Sequence, residues 1–214
     1  MPPAIEEAVL VPGPAGVLEG VLGLPRGRAC AGRAGILCHP HPLYGGSLHN
    51  KVVHMAARAL VEAGIPVLRF NFRGVGRSEG HYDEGRGETA DLIAARDWLA
   101  GRFPDARLCL GGFSFGAWVA FRAAATLAPA ALLQIAPPVN HFSFAGIPEP
   151  DCPWVVLQGD ADEVVPVARV REWVAGLGRP PGLVVLAGAG HFFHGRLNDL
   201  RAAISAHYLP HCGC

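Results

Sequence analysis

Three residues of this sequence have the types that nucleophilic acyl transfer requires: Ser114, Asp162 and His191. Ser114 is the middle residue of Gly112-Phe-Ser-Phe-Gly116, which follows the apolar run 108–110 and precedes a helical stretch at 117–127. A serine held between a strand and a helix in a Gly-x-Ser-x-Gly frame is the pattern of a nucleophile elbow. Gly112 and Gly116 leave room for a tight turn, and the turn lifts the hydroxyl above the strand ends. A glycine turn whose serine merely caps the helix is the bland alternative.

Serine is a poor nucleophile near neutral pH and needs a base within hydrogen-bond reach, itself oriented by a third group. The chain has ten histidines, so position must decide. His191 directly follows the run 183–186 in Ala187-Gly-Ala-Gly-His-Phe-Phe, whereas its rival His194 falls nearer the last helix. For the acid, Asp160, Asp162 and Glu163 compete in Gln158-Gly-Asp-Ala-Asp-Glu-Val-Val-Pro166. The turn favours Asp162 over the sheet edge and leaves Asp160 to bond nearby backbone N–H groups. The order Ser, Asp, His is that of one hydrolase architecture and not of chymotrypsin or subtilisin.

Acyl transfer also needs donors for an oxyanion. The elbow supplies the backbone N–H of Phe115, the residue after the nucleophile. A second donor is expected from the loop 39–46, His-Pro-His-Pro-Leu-Tyr-Gly-Gly, with the N–H of His41 or Leu43 or the hydroxyl of Tyr44 as candidates. Pro40 and Pro42 have no N–H, but they stiffen the loop.

These residues need a scaffold that brings distant loops together. Segments 4–11 and 17–24 read as a hairpin around Pro12-Gly-Pro-Ala-Gly16, and further strands read at 34–38, 66–72, 108–111, 130–135, 154–157 and 183–186. Helical periodicity marks 52–64, 88–100, 117–127, 167–177 and 197–207. Alternation of strand and helix predicts an α/β domain spanning 1–214, with an eight-stranded, mostly parallel sheet covered on both faces. In such sheets the site forms at the carboxyl ends of the strands. The loops 39–46, 73–80, 159–162 and 190–193 all fall at that edge, beside Ser114.

Composition removes other classes. The formal net charge is zero and only 17% of residues are charged, which points neither to nucleic acid nor to an anionic membrane. The apolar runs are too short for a membrane helix, and the first residues carry no secretory pattern, so a cytoplasmic protein is the expectation. Gly74-Val-Gly-Arg-Ser-Glu-Gly80 places its third glycine one position late for a dinucleotide fingerprint, and no helix opens on it. Arg73, Arg77 and Glu79 are expected to fix that loop by ion pairs. His211-Cys-Gly-Cys214 is too small a ligand set for a structural zinc, and 210–214 reads as a loose tail. No metal or organic cofactor is implied.

With these segments assembled, the chain resembles the α/β-hydrolase superfamily, and within it a family of compact, lidless bacterial esterases distantly similar to the dienelactone hydrolase and cocaine esterase groups. The resemblance rests on Cys38-His-Pro-His-Pro-Leu-Tyr-Gly-Gly46, Arg69-Phe-Asn-Phe-Arg-Gly-Val-Gly-Arg-Ser-Glu-Gly80, Gly111-Gly-Phe-Ser-Phe-Gly116, Ala136-Pro-Pro-Val-Asn140, Gln158 to Pro166 and Gly190-His-Phe-Phe-His194. It implies Ser114, Asp162 and His191 as a catalytic triad, and it makes the Tyr44 hydroxyl an oxyanion candidate by similarity to the cocaine esterase group. The segment 137–153 is too short for a helical lid. An open site for small soluble esters follows, with Asn140, His141, Phe142 and Phe144 expected at its rim, and with peptidase, C–C bond hydrolase or non-catalytic binding roles as alternatives.

Overall fold

The computed structural model describes residues 5–27 and 29–213. The expectations for Cys214, and for Ala4 as first residue of the opening strand, lie outside these residues. Eight strands form one sheet: β1 (Ile5–Gly13), β2 (Gly16–Leu24), β3 (Arg33–Cys38), β4 (Val67–Phe70), β5 (Arg107–Phe113), β6 (Ala131–Ile135), β7 (Trp154–Gly159) and β8 (Gly182–Leu186). Their spatial order is β1-β2-β4-β3-β5-β6-β7-β8. The β1–β2 and β2–β4 pairs are antiparallel, and the remaining pairs are parallel.

The near-continuous apolar runs of the central strands follow from burial on both faces. Along β5, Leu108 and Leu110 join one core cluster, whereas Cys109 and Phe113 join the other. The first cluster lies under α2 (Arg86–Arg102), α3 (Phe115–Leu127) and α4 (Val167–Ala175), and the second under α1 (Lys51–Glu62) and α5 (Leu197–Ala203). Asn50 begins α1, its side chain accepting from the N–H groups of Val52 and Val53.

The structure corrects the expected loose tail over its described residues, 210–213. After α5 the chain makes a π-helical turn, Ile204–Tyr208, and a last short helix α6, Leu209–Cys212. Leu209 and Cys212 are buried, and the Arg33 guanidinium bonds the Cys212 carbonyl. The buried Tyr208 hydroxyl donates to the carbonyls of Leu110 and Ala131, so this segment is tied to the two central strands. The polar, small-residue composition concealed these anchors.

Register sets the functional edge. Cys38, Gly112, Gln134, Val156 and Leu183 stand side by side across β3, β5, β6, β7 and β8. The turns that follow these strands therefore open in the same direction.

Candidate active site

Ser114 sits between β5 and α3 at φ 52°, ψ −121°, a left-handed backbone that L side chains rarely adopt. Its N–H donates to the Ile135 carbonyl at 2.9 Å, which pins the turn to β6. A Cβ on Gly112 would collide with the Gly116 carbonyl, and one on Gly116 with the carbonyls of Cys38 and His39. Glycine at both positions thus lets α3 begin directly against the end of β3. The buried Gln134 amide adds a bond to the Ala117 carbonyl at 2.9 Å, fixing the first turn of α3 to the sheet.

The structure brings the three predicted residues together. His191 Nε2 lies 3.2 Å from Ser114 Oγ, and His191 Nδ1 lies 2.9 Å from Asp162 Oδ2. A carboxylate can only accept, so Nδ1 carries the proton and Nε2 presents its lone pair to the serine. Asp162 Oδ1 accepts from the N–H groups of Val164 and Val165 at 2.9 and 2.7 Å. Burial alone would raise the Asp162 pKa, but the His191 bond and charge and these two N–H groups outweigh it and hold the carboxyl below its ordinary value. Of the competing carboxylates, Asp160 accepts from the Gly188 N–H at 2.6 Å and Glu163 from the His191 N–H at 3.3 Å. His194 stacks on Phe192 instead of reaching the serine.

Gln158 went unnoticed in the sequence. Its buried side chain donates to Asp162 Oδ2 at 2.9 Å and to the Val165 carbonyl at 2.8 Å, clamping both ends of the acid turn. The available signal was a polar residue at the end of the apolar strand Trp-Val-Val-Leu-Gln-Gly.

On the other side of Ser114, the Phe115 N–H is the first free donor of α3, and no hydrogen-bond partner is found for it among the described residues. The loop 39–46 offers fewer donors than the sequence suggests. Leu43 N–H donates to His41 Nδ1 at 3.2 Å and Tyr44 N–H to the His41 carbonyl at 3.1 Å. The Tyr44 side chain is 87% exposed. His41 N–H, by contrast, has no partner among the described residues. Nearby, the buried His39 is locked neutral: Nδ1 donates to the Pro40 carbonyl at 2.6 Å and Nε2 accepts from the Phe72 N–H at 3.0 Å. Burial pushes its pKa down to about 4, against smaller opposing help from the Pro40 bond.

The ion pairs expected in the next loop are present, with Arg73 on the buried Asp91 at 2.7 Å and Arg77 on Glu19 at 2.9 Å. Glu79 instead accepts from the Val17 N–H at 2.7 Å. The connection 137–153 lies flat against α3. The Trp118 indole donates to the Ser143 carbonyl at 2.9 Å, and Phe142 packs on Trp118 with ring centres 4.6 Å apart. Phe144, expected at the rim, is buried against Phe121 and Trp173 and belongs to the core. Asn140 does reach the site's border, donating to the Val164 carbonyl at 3.0 Å.

A sequence model of the X-Pro dipeptidyl-peptidase (S15) family matches residues 18–147. The chain belongs to this family. Within the S15 family's fold it is similar to an α/β serine hydrolase without lid from Xanthomonas campestris, at 44% identity over 98% of this chain and 96% of that one, with a TM-score of 0.92. An α/β serine hydrolase homologue from Coxiella burnetii is 44% identical over 94% and 97% of the two chains, with a TM-score of 0.91. An uncharacterized protein of Rickettsia prowazekii is 39% identical over 184 residues, 81% of this chain and 77% of its own length. The dienelactone hydrolase of Anabaena variabilis, 21% identical with a TM-score of 0.80, shares the fold alone. This S15-family chain is thus an α/β hydrolase with an antiparallel N-terminal hairpin. None of its described helices is long and apolar enough to cross a membrane.

Proposed function

We propose that the protein is a serine carboxylesterase that cleaves small esters through an acyl-enzyme. The observation that carries this reading is the unbroken chain from Ser114 Oγ through His191 to Asp162, at 3.2 and 2.9 Å, beneath a strained elbow. His191 Nε2 takes the Ser114 proton as Oγ attacks the acyl carbon. Asp162 stabilises the imidazolium, and the N–H groups of Phe115 and His41 bind the oxyanion. His191 then returns the proton to the leaving alkoxide, and water repeats both steps on the acyl-enzyme. This chemistry takes a small-molecule ester and water as reactants, and its catalytic groups belong to the protein.

The family's description favours a second reading, removal of X-Pro dipeptides from peptide N-termini. Such a substrate presents an ammonium, which calls for an unpaired carboxylate. Glu19, Asp91 and Glu88 are engaged by Arg77, Arg73 and the N–H groups of Asp83 and Gly85, and Glu163 accepts from the His191 N–H. The arginine pairs of Glu19 and Asp91 and the burial of Glu88 support the ester reading, and the exposed Glu163, with no ion pair among the described residues, is the carboxylate that an ammonium would use.

A fluorophosphonate probe followed by peptide mass spectrometry tests the nucleophile, with an adduct expected on Ser114 and none on Ser114→Ala. Short-chain p-nitrophenyl esters against X-Pro anilides then decide the bond. Faster turnover of the anilides would replace esterase with peptidase.

A further inference from the structure

Given the esterase reading above, on which this step rests, the shape of the tetrahedral intermediate assigns each substituent a side. The anionic oxygen points to the N–H groups of Phe115 and His41. The leaving oxygen must face His191 Nε2, its source of a proton, on the side flanked by Phe192, which packs edge-on against His191 with ring centres 5.1 Å apart. The acyl substituent is left with the remaining direction, over the side chains of the two residues whose N–H groups hold the oxyanion, Phe115 and His41.

Those two side chains belong to a cluster of rings. His41 packs on Phe115 at 4.8 Å, on Tyr82 at 5.0 Å and on Phe142 at 6.0 Å between ring centres. Phe115 meets Phe142 at 5.5 Å and Tyr82 at 6.0 Å. Phe115 is buried at the base, while His41, Tyr82 and Phe142 are half-buried and keep an open face. A planar aromatic group gains offset and edge contacts on such a surface beyond its buried area, which a saturated ring of similar size does not. Arg73 and Arg77 are paired with Asp91 and Glu19, so neither guanidinium is free to hold an anionic acyl group.

The platform also has one polar reader. Leu43 N–H donates to His41 Nδ1, so the neutral ring carries its proton on Nε2. Burial lowers the His41 pKa, which favours that neutral form. Nε2–H then donates to the Tyr82 phenolic oxygen at 3.2 Å. The Tyr82 O–H is left as a donor, with no acceptor of its own among the described residues.

We infer that the preferred acyl group is an uncharged aromatic ring seated on His41, Tyr82, Phe115 and Phe142, and that the Tyr82 O–H selects rings bearing a hydrogen-bond acceptor. Tyr82 is in this sense a specificity residue and takes no part in bond making.

The test compares p-nitrophenyl acetate, cyclohexanecarboxylate, benzoate and 3- and 4-methoxybenzoate, each kcat/KM divided by the ester's rate with hydroxide. Benzoate is expected to exceed cyclohexanecarboxylate by about three- to tenfold, and the better methoxybenzoate to exceed benzoate by about three- to tenfold. Tyr82→Phe should erase the methoxy advantage and keep the order of benzoate over cyclohexanecarboxylate; Phe142→Ala should erase that order. Each ratio is taken on one preparation, so partial loss of folded protein cancels. Hydrolysis of acetate with a flat acyl panel, or a methoxy advantage that survives Tyr82→Phe, overturns this inference alone. No hydrolysis of any ester, together with no labelling of Ser114 by a fluorophosphonate, overturns it together with the esterase reading.

Discussion

The two halves of the site, one on each side of Ser114, are built to opposite standards. On the acid–base side both Asp162 oxygens are engaged, by His191, Gln158 and the N–H groups of Val164 and Val165, and both His191 ring nitrogens have partners. Asp162 and His191 are buried. On the oxyanion side, Phe115 and His41 keep N–H groups without partners among the described residues, and Leu43 and Tyr44 are 65% and 87% exposed. For the proposed esterase, fixing the imidazole is a requirement common to all esters, so it can be satisfied internally before any substrate arrives. In the proposed mechanism oxyanion and acyl contacts are completed by the substrate itself, so that half waits open.

The comparison breaks first at the closed half. Ser114→Ala is expected to lower kcat by about a millionfold and Asp162→Asn by about 10,000-fold, through the wrong imidazole tautomer. Asp160→Asn, which touches only the Gly188 N–H, should stay within about threefold. Steady-state kinetics on p-nitrophenyl acetate separate the three, and the reverse ranking of the two aspartates would move the acid to Asp160.

Gln158→Leu probes how far the closed half extends. Loss of a buried bond to a charged group predicts a fall of about 10- to 100-fold in kcat, with KM nearly constant because the amide touches no substrate. A rise in KM at constant kcat would show that Gln158 only shapes the binding surface.

The loop under the open half has its own requirement, a neutral His39. Its folded pKa of about 4 lies below the unfolded value of 6.5, so the unfolded chain binds the extra proton between these pH values. The neutral state's stability is intact above pH 6.5 and is lost as pH falls toward 4, by about 1.4 kcal/mol per pH unit and roughly 3 kcal/mol in all. Urea titrations at pH 7, 5.5 and 4.5 should show this slope flattened in His39→Gln, even though that variant starts less stable. An identical slope in both proteins would rule His39 out as its source.

The smallest effect is expected at Tyr44, more exposed than Leu43 in the same loop. Tyr44→Phe should change kcat/KM on acetate esters by less than about threefold, the range of ordinary surface substitutions. A loss of 100-fold would instead place its hydroxyl in the oxyanion hole.

How much of this was legible depended on whether a residue's partner lies near it in the pattern. The strand and helix alternation, and the elbow between β5 and α3, are local signals and could be read directly. Asp162 could be ranked above Asp160 because both belong to one turn. Gln158 was hidden, because its partners are decided by the turn at 160–165, which no periodicity reports. His41, Leu43 and Tyr44 stood equal as donors because sequence does not show that the His41 ring would itself capture the Leu43 N–H. Phe144 and the segment ending at Cys212 were misplaced for one reason: each is held by residues distant in sequence, Phe121 and Trp173 in one case and Arg33 in the other.

Ser114 at φ 52°, ψ −121° has a consequence for descent. Glycine would adopt that backbone freely, whereas serine there costs about 1–3 kcal/mol. The freedom glycine adds to the unfolded chain offsets only part of this gain. A lineage released from the need for a nucleophile would therefore drift toward glycine, rewarded with a sturdier protein. The hydroxyl persists only under continuing selection, which makes position 114 the place where disuse would first be written.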